Sequence, residues 1–219
     1  MAPLRLLCFH GYRQNERTFR ERAGALRKVL RGRAELVGFS APLRVPEAGL
    51  QFQAGESSSQ PDDPRGWWFS NPQEDTFNAL EVSDSCKGLE ESMEAVAKVF
   101  VEQGPFSGIL GFSQGAALVA MLCALKQRGD QRFPFDFAIL VAGFKSRSTE
   151  HQDFYKEPID VPTLHVFGET DRVIPGEMSQ ELLSHFIEPS ILTHQGGHFL
   201  PASSQQKKVY LEFLDRFSK

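Results

Sequence analysis

The chain has 219 residues, 41% of them apolar, and a formal net charge of −4, which suits one soluble domain with a sizeable core and leaves no basic footprint for nucleic acid. Cys8, Cys86 and Cys123 are an odd set without Cys-x-x-Cys spacing, so neither a disulfide framework nor a zinc site is indicated. No apolar run is long enough for a signal segment or a membrane span, and reduced thiols fit a cytoplasmic protein while being compatible with a nuclear one.

Strand signals alternate with helical periods along the chain, the pattern of an α/β domain with a mainly parallel sheet and helices on both faces. Residues 4–9 read as a first strand. Asn15 then caps a helix with apolar positions Phe19, Ala23, Leu26 and Leu30, ending at Gly32. Its other side carries Arg17, Arg20, Arg27, Lys28 and Arg31. The simplest reading of that charge is a solvated face, with recognition of an anionic substrate as the alternative. Residues 34–39 form a second short strand. From about 41 to 66 the chain turns rich in Pro, Gly, Ser and Gln without a period, which predicts a long loop, either a lid or an inert excursion. It delivers Trp67-Trp68-Phe69.

Residues 86–103 place Leu89, Met93, Val96 and Phe100 on one helical stripe that stops at Gly104-Pro105. A strand over 107–112 follows, then a helix from near Gln114. Two further strands are expected at 137–142 and 163–167, separated by a polar connection at 145–160. Met178, Leu182 and Phe186 mark another helix and 191–194 a last strand. Tyr210, Phe213, Leu214 and Phe217 give the inner stripe of a closing helix.

Gly111-Phe112-Ser113-Gln114-Gly115 lies where the strand ending at Phe112 gives way to a helix. A serine on such a turn has the geometry of a nucleophile elbow, and the flanking glycines let strand and helix approach. Gly and Ser are common, so this pentapeptide is weak evidence alone. A serine hydroxyl needs a base, and the base needs a carboxylate to hold its tautomer. In an open α/β sheet both belong in loops leaving the carboxyl ends of strands. Asp171 follows the strand ending at Phe167, and His198 follows the strand ending near His194. The order Ser113, Asp171, His198 is that of α/β-hydrolases. His194 is the rival base, but falls inside its strand; Glu169 is the rival carboxylate, close against its strand end. His151, His165 and His185 read as structural or solvent-facing.

The oxyanion hole should combine the amide of Gln114 with one from the loop His10-Gly11-Tyr12-Arg13-Gln14, assigned to Tyr12. His10 is expected to brace that loop by hydrogen bonding. Trp67, Trp68 and Phe69 divide between core packing and the lining of an acyl pocket, with Phe112, Val173 and Ile174 as further apolar walls. The mechanism requires no metal and no cofactor, and the expected partner is a small ester with an apolar acyl or alkyl chain.

Taken together, His10-Gly11-Tyr12-Arg13-Gln14-Asn15, Arg65-Gly66-Trp67-Trp68-Phe69, Gly111-Phe112-Ser113-Gln114-Gly115, Gly168-Glu169-Thr170-Asp171 and Gly196-Gly197-His198-Phe199 resemble a family of small serine hydrolases from fungi and animals. That group includes fungal polyketide-releasing thioesterases, and its vertebrate esterase branch is the nearest in motif. The resemblance runs over nearly the whole chain, and Gly-Trp-Trp-Phe is its most specific element. It implies one α/β-hydrolase domain over 1–219 with no large lid domain, a triad on Ser113, Asp171 and His198, and hydrolysis of carboxylic esters, with longer alkyl chains favoured in the vertebrate branch. Thioesters of acyl-protein or acyl-carrier substrates are the alternative within enzymes. A non-catalytic ligand-binding or interaction protein on the same fold is the alternative outside them.

Overall fold

The computed structural model describes residues 2–46 and 62–219. In chain order the elements are β1 (Leu4–Phe9), α1 (Glu16–Arg22), α2 (Gly24–Val29), β2 (Ala34–Gly38), β3 (Leu43–Arg44), β4 (Arg65–Gly66), α3 (Leu89–Gln103), β5 (Gly108–Phe112), α4 (Gln114–Gln127), β6 (Phe137–Val141), β7 (Thr163–Gly168), α5 (Gly176–Leu183), β8 (Ser190–His194) and α6 (Ser204–Asp215), with a 3₁₀ segment at Thr149–Tyr155. A parallel sheet runs in the order β2-β1-β5-β6-β7-β8, and β3 pairs with β4 in a separate antiparallel ribbon. This is the mainly parallel α/β architecture the sequence implies.

The order places a topological switch between β1 and β5. The chain first moves outward from β1 to β2, then returns to the opposite side of β1. Ligands of open α/β sheets bind at such a point, beyond the carboxyl ends of the strands. Phe9 lies opposite Gly111 in the ladder, so the loop after β1 and the turn after β5 emerge side by side.

Strands β5 and β6 are buried along their whole length, which explains their continuous apolar character. Alternate residues feed two cores. Ile109, Ala138 and Leu140 pack with Trp67, Trp68 and α3, whereas Leu110, Phe137 and Ile139 face Phe19, Leu26 and the α6 residues Tyr210, Phe213 and Leu214. Helix α4 is buried from Gln114 to Ala124, so its sequence is apolar on every face. Truncating one of its core residues, Leu118 for example, costs about 2–5 kcal/mol.

Several sequence boundaries need correction. The helix expected over 15–32 is two, because the chain breaks at Ala23 (φ −87°, ψ 6°) and restarts at Gly24, a residue costing roughly 1 kcal/mol in a helix interior. Asn15 does cap the first, accepting from the Thr18 amide. Helix α3 starts at Leu89 rather than 86, because Lys87 exchanges backbone hydrogen bonds with Phe69. Helix α5 stops at Leu183, and Phe186 instead packs on His165 with ring centroids 4.7 Å apart. The 145–160 connection holds the 3₁₀ segment. Of the expected 41–66 loop, residues 43–44 and 65–66 form the β3–β4 ribbon, and residues 47–61 lie outside the described residues, as does any lid they would supply.

Candidate active site

Ser113 stands between β5 and α4 with φ 57° and ψ −116°, a backbone state that costs an L-residue on the order of 1–3 kcal/mol. Its amide donates to the Val141 carbonyl at 2.9 Å, and its carbonyl accepts from Ala117 at 3.0 Å. A Cβ on Gly111 would fall on the Gly115 carbonyl, and a Cβ on Gly115 on the carbonyl oxygens of Phe9 and His10. Glycine is therefore what lets β1, β5 and α4 meet backbone to backbone here. Gln114 is the first residue of α4, so its amide has no acceptor within the helix and lies at the positive end of the helix dipole.

Asp171 lies in the loop after β7. Its Oδ1 accepts from the amides of Val173 and Ile174, both at 2.9 Å, and its Oδ2 accepts from Nδ1 of His198 at 2.7 Å. A carboxylate oxygen can only accept, so Nδ1 is the donor in this bond and carries a proton. The aspartate side chain is 1% exposed and the imidazole 18%. Among the described residues Asp171 is the imidazole's hydrogen-bond partner, and its ring packs on Phe112 at 4.7 Å between centroids. That contact brings His198 to the residue preceding Ser113. The loops after β7 and β8 are stitched together by Glu169 to His194, Thr170 to Gly196 and Thr170 Oγ1 to the Gln195 carbonyl.

The rivals have other occupations. His194 Nδ1 accepts from the Gly196 amide at 3.1 Å, its ring lies 5.1 Å from Phe199, and burial pulls its pKa below the ordinary imidazole value. Glu169 is exposed. His165 is buried in β7 beside Thr163, and burial lowers its pKa to about 3. His151 is buried too, hydrogen-bonded to Ser146 Oγ at 2.7 Å, with its pKa brought down to about 4 by burial.

The loop after β1 is braced as its sequence suggested. His10 Nδ1 donates to the Gly11 carbonyl at 2.8 Å and Nε2 accepts from the Ala41 amide at 2.9 Å, which fixes one neutral tautomer. Burial accordingly lowers its pKa to about 4. Gln14 Oε1 accepts from the Gly11 amide at 2.7 Å. Tyr12 is half-buried, and its ring sits 5.2 Å from Phe77.

The aromatic run divides differently from a pocket wall. Trp67 is 0% exposed and packs among Phe9, Phe39 and His10. Phe69 is buried with Leu43 and Val45. Both belong to the core, one of the two placements the sequence left open for this run. Trp68 borders a recess, together with Phe77, Asn78, Phe144, Ser146 and Arg147. Ile174 is buried, Val173 is half-buried, and both act through their amides on Asp171. Sequence reasoning missed that use, although an Asp bonding to amides two and three positions on is ordinary turn chemistry. It also missed the Gln114 side chain, which accepts from the Trp67 amide and donates to the Trp68 carbonyl, both at 2.9 Å. Nothing in the local pattern pairs residues so far apart.

Among the described residues no cluster of His, Cys, Asp or Glu could hold a metal ion, and no helix is long and apolar enough to cross a membrane.

Comparison with known proteins gives concordant matches. The serine hydrolase (FSH1) family matches residues 1–210. Esterase OVCA2 of Xenopus tropicalis is 65% identical over 214 residues, covering 98% of this chain and 93% of that protein. Esterase OVCA2 of Homo sapiens is 51% identical over 222 residues, covering 99% and 98%. Among solved structures, acyl-protein thioesterase 2 of Zea mays superposes with a TM-score of 0.64 at 16% identity, covering 98% of this chain and 95% of that one, a likeness of fold.

Proposed function

The chain belongs to the FSH1 family of serine hydrolases and is an ester-hydrolysing enzyme, and from that premise we propose that Ser113, His198 and Asp171 form its catalytic triad. The observation that carries this reading is the 2.7 Å bond from His198 to Asp171, with the imidazole packed on the residue that precedes Ser113. In the acylation step His198 Nε2 takes the Ser113 proton as Oγ attacks the carbonyl, and returns it to the departing alcohol. Water, activated by the same nitrogen, then releases the acid from the acyl-serine. Asp171 keeps Nδ1 protonated and stabilises the imidazolium. Its own carboxylate is held by the Val173 and Ile174 amides, so the histidine is aimed by a group that is itself fixed. In this reading the Ser113–His198 hydrogen bond is completed as substrate binds, as catalytic bonds commonly are.

The amides of Gln114 and Tyr12 receive the oxyanion, a pair for which loss of one donor lowers turnover roughly 10²- to 10³-fold. The proposed substrate is a carboxylic ester with a medium to long acyl or alkyl chain. Phe112 beside His198, and Phe199, which follows it and is 49% exposed, support an apolar approach to the site.

The test joins covalent labelling to a rate series. A fluorophosphonate probe should label the wild-type chain and leave Ser113→Ala unlabelled. Across esters from acetyl to decanoyl, kcat/KM should rise, each buried CH₂ being worth about 0.8 kcal/mol. A flat or falling series removes the chain-length proposal, faster turnover of the matched thioesters moves the assignment to a thioesterase, and an unlabelled wild type removes the triad.

A further inference from the structure

We infer that Trp67 is a positioning residue of the oxyanion hole, the spacer that sets the separation of the Tyr12 and Gln114 amides. The inference rests on the reading of Ser113 as nucleophile and of those amides as the oxyanion donors.

Pairing of β1 with β5 aligns the strands, but the two donors lie beyond the ladder, one on a loop and one on a helix. Something outside the sheet has to hold them in register. Trp67 is bonded to both sides. Its indole Nε1 donates to the His10 carbonyl at 2.8 Å, two residues before Tyr12, and its amide donates to Gln114 Oε1 at 2.9 Å. Gln114 Nε2 reaches on to the Trp68 carbonyl at 2.9 Å, so the residue carrying the helix donor is clamped along this segment by both ends of its side chain. Ser92 of α3 closes the remaining group, donating to the Trp67 carbonyl at 2.6 Å.

The segment is equally tied just upstream. Arg13 donates to the Arg65 carbonyl at 2.8 Å and Arg65 to the Gln14 carbonyl at 2.9 Å. A Cβ on Gly66 would come within 2.8 Å of the Tyr12 ring. Residues 65–68 therefore lie flush between the loop and the helix start, and every one of these Trp67 and Gln114 bonds is buried. A buried polar group that loses its partner bears the whole desolvation cost, so the bridge has one favoured length. An oxyanion hole needs its donors at a fixed place before charge develops. Trp67 supplies that fixity from the core, without touching substrate.

Trp67→Phe tests this by removing the indole N–H while keeping an aromatic ring. With folding checked by thermal melting, kcat should fall roughly 10- to 100-fold, the scale of a small misplacement of catalytic groups, with KM within about threefold. Affinity for a trifluoromethyl ketone, which forms a tetrahedral adduct on the serine, should fall in parallel with kcat/KM. Gln114→Met, which removes both side-chain bonds at similar length, should show the same signature. A folded Trp67→Phe enzyme with kcat and ketone affinity within about twofold of wild type overturns the inference, as does a loss carried by KM alone. If Trp67→Phe does not fold, replacement of tryptophan by benzothienylalanine, which exchanges the N–H for sulfur, decides by the same criteria. Activity surviving in Ser113→Ala would instead remove the underlying reading, whatever Trp67→Phe shows.

Discussion

On the β1/β5 side of the site, His10, Trp67 and Gln114 are buried and bonded to groups 31, 57 and 47 positions away in the chain. On the β7/β8 side, Asp171 is fixed by amides two and three residues on, and His198, 18% exposed, is held by one bond to it. The chemistry proposed for the two sides differs in the same way. Stabilising an oxyanion requires dipoles that do not reorganise, and a network threaded through the core provides them. Proton transfer requires an imidazole that can meet first the serine and then water, and a short local turn suffices to aim it. Changes on the first side should cost stability and rate together, whereas changes on the second should cost rate with little loss of stability.

The largest expected effect falls where the sides meet. Ser113→Ala should lower ester hydrolysis on the order of 10⁶-fold, and with φ 57° relieved by no new contact its melting should stay near wild type. Steady-state rates on a clean preparation check this, and substantial remaining activity would mean that the two sides serve some other nucleophile. Asp171→Asn comes next. It keeps the side chain's shape but offers the imidazole an amide, and a drop in kcat of about 10⁴ is expected from the wrong tautomer. Because the Val173 and Ile174 amides can still donate to its oxygen, urea unfolding should change little. A large loss of stability would break the contrast.

His10→Phe probes the opposite side. The ring contact with Trp67, 4.9 Å between centroids, can persist, and the Gly11 carbonyl keeps the Gln14 amide as a donor, but the Ala41 amide loses its partner. Stability should fall by about 1–3 kcal/mol for the buried group left unpaired, accompanied by a fall in kcat as the Tyr12 loop loosens. Urea melts read the first and rates the second. A rate loss at unchanged stability would make this side no different from the other.

The contrast also explains what could be read from the sequence. The strands, the turn at 111–115 and the loops after β7 and β8 announce themselves through apolar runs, glycines and turn residues, because the forces that make them are local or follow the period of the sheet. The placement of Asp171 and His198 was legible for that reason: each needs only to follow a strand end. That of Trp67 and Phe69 was not. Large aromatic residues beside a long loop look alike whether they face a ligand or a core, and only the folded packing, of Trp67 with β1, α3 and α4 and of Phe69 with Leu43 and Val45, distinguishes the two. The role of the Gln114 side chain was equally hidden, since its partners Trp67 and Trp68 are fixed by folding and by no spacing. The break at Ala23 was missed because Phe19, Ala23, Leu26 and Leu30 remain on one buried face across it.

The smallest expected effect is a slope. Burial is the leading cause that lowers His10 and His151 to about 4 and His165 to about 3, against an unfolded imidazole value of about 6.5. All three are therefore neutral in the fold near neutrality. As pH falls below about 6.5 the unfolded chain takes up protons that the folded chain refuses, so folding stability is fully present above that value and is lost progressively down to the folded values. Each such histidine contributes up to about 1.4 kcal/mol per pH unit within that window. Urea unfolding from pH 7 to 4.5 should show the decline. His10→Phe, although less stable throughout, should show a shallower one, by the share of a single imidazole. Parallel slopes in the two proteins would mean that His10 already binds its proton in the fold. Its Nε2 would then be unable to accept from Ala41, and the brace on the oxyanion side would depend on something other than a fixed neutral tautomer.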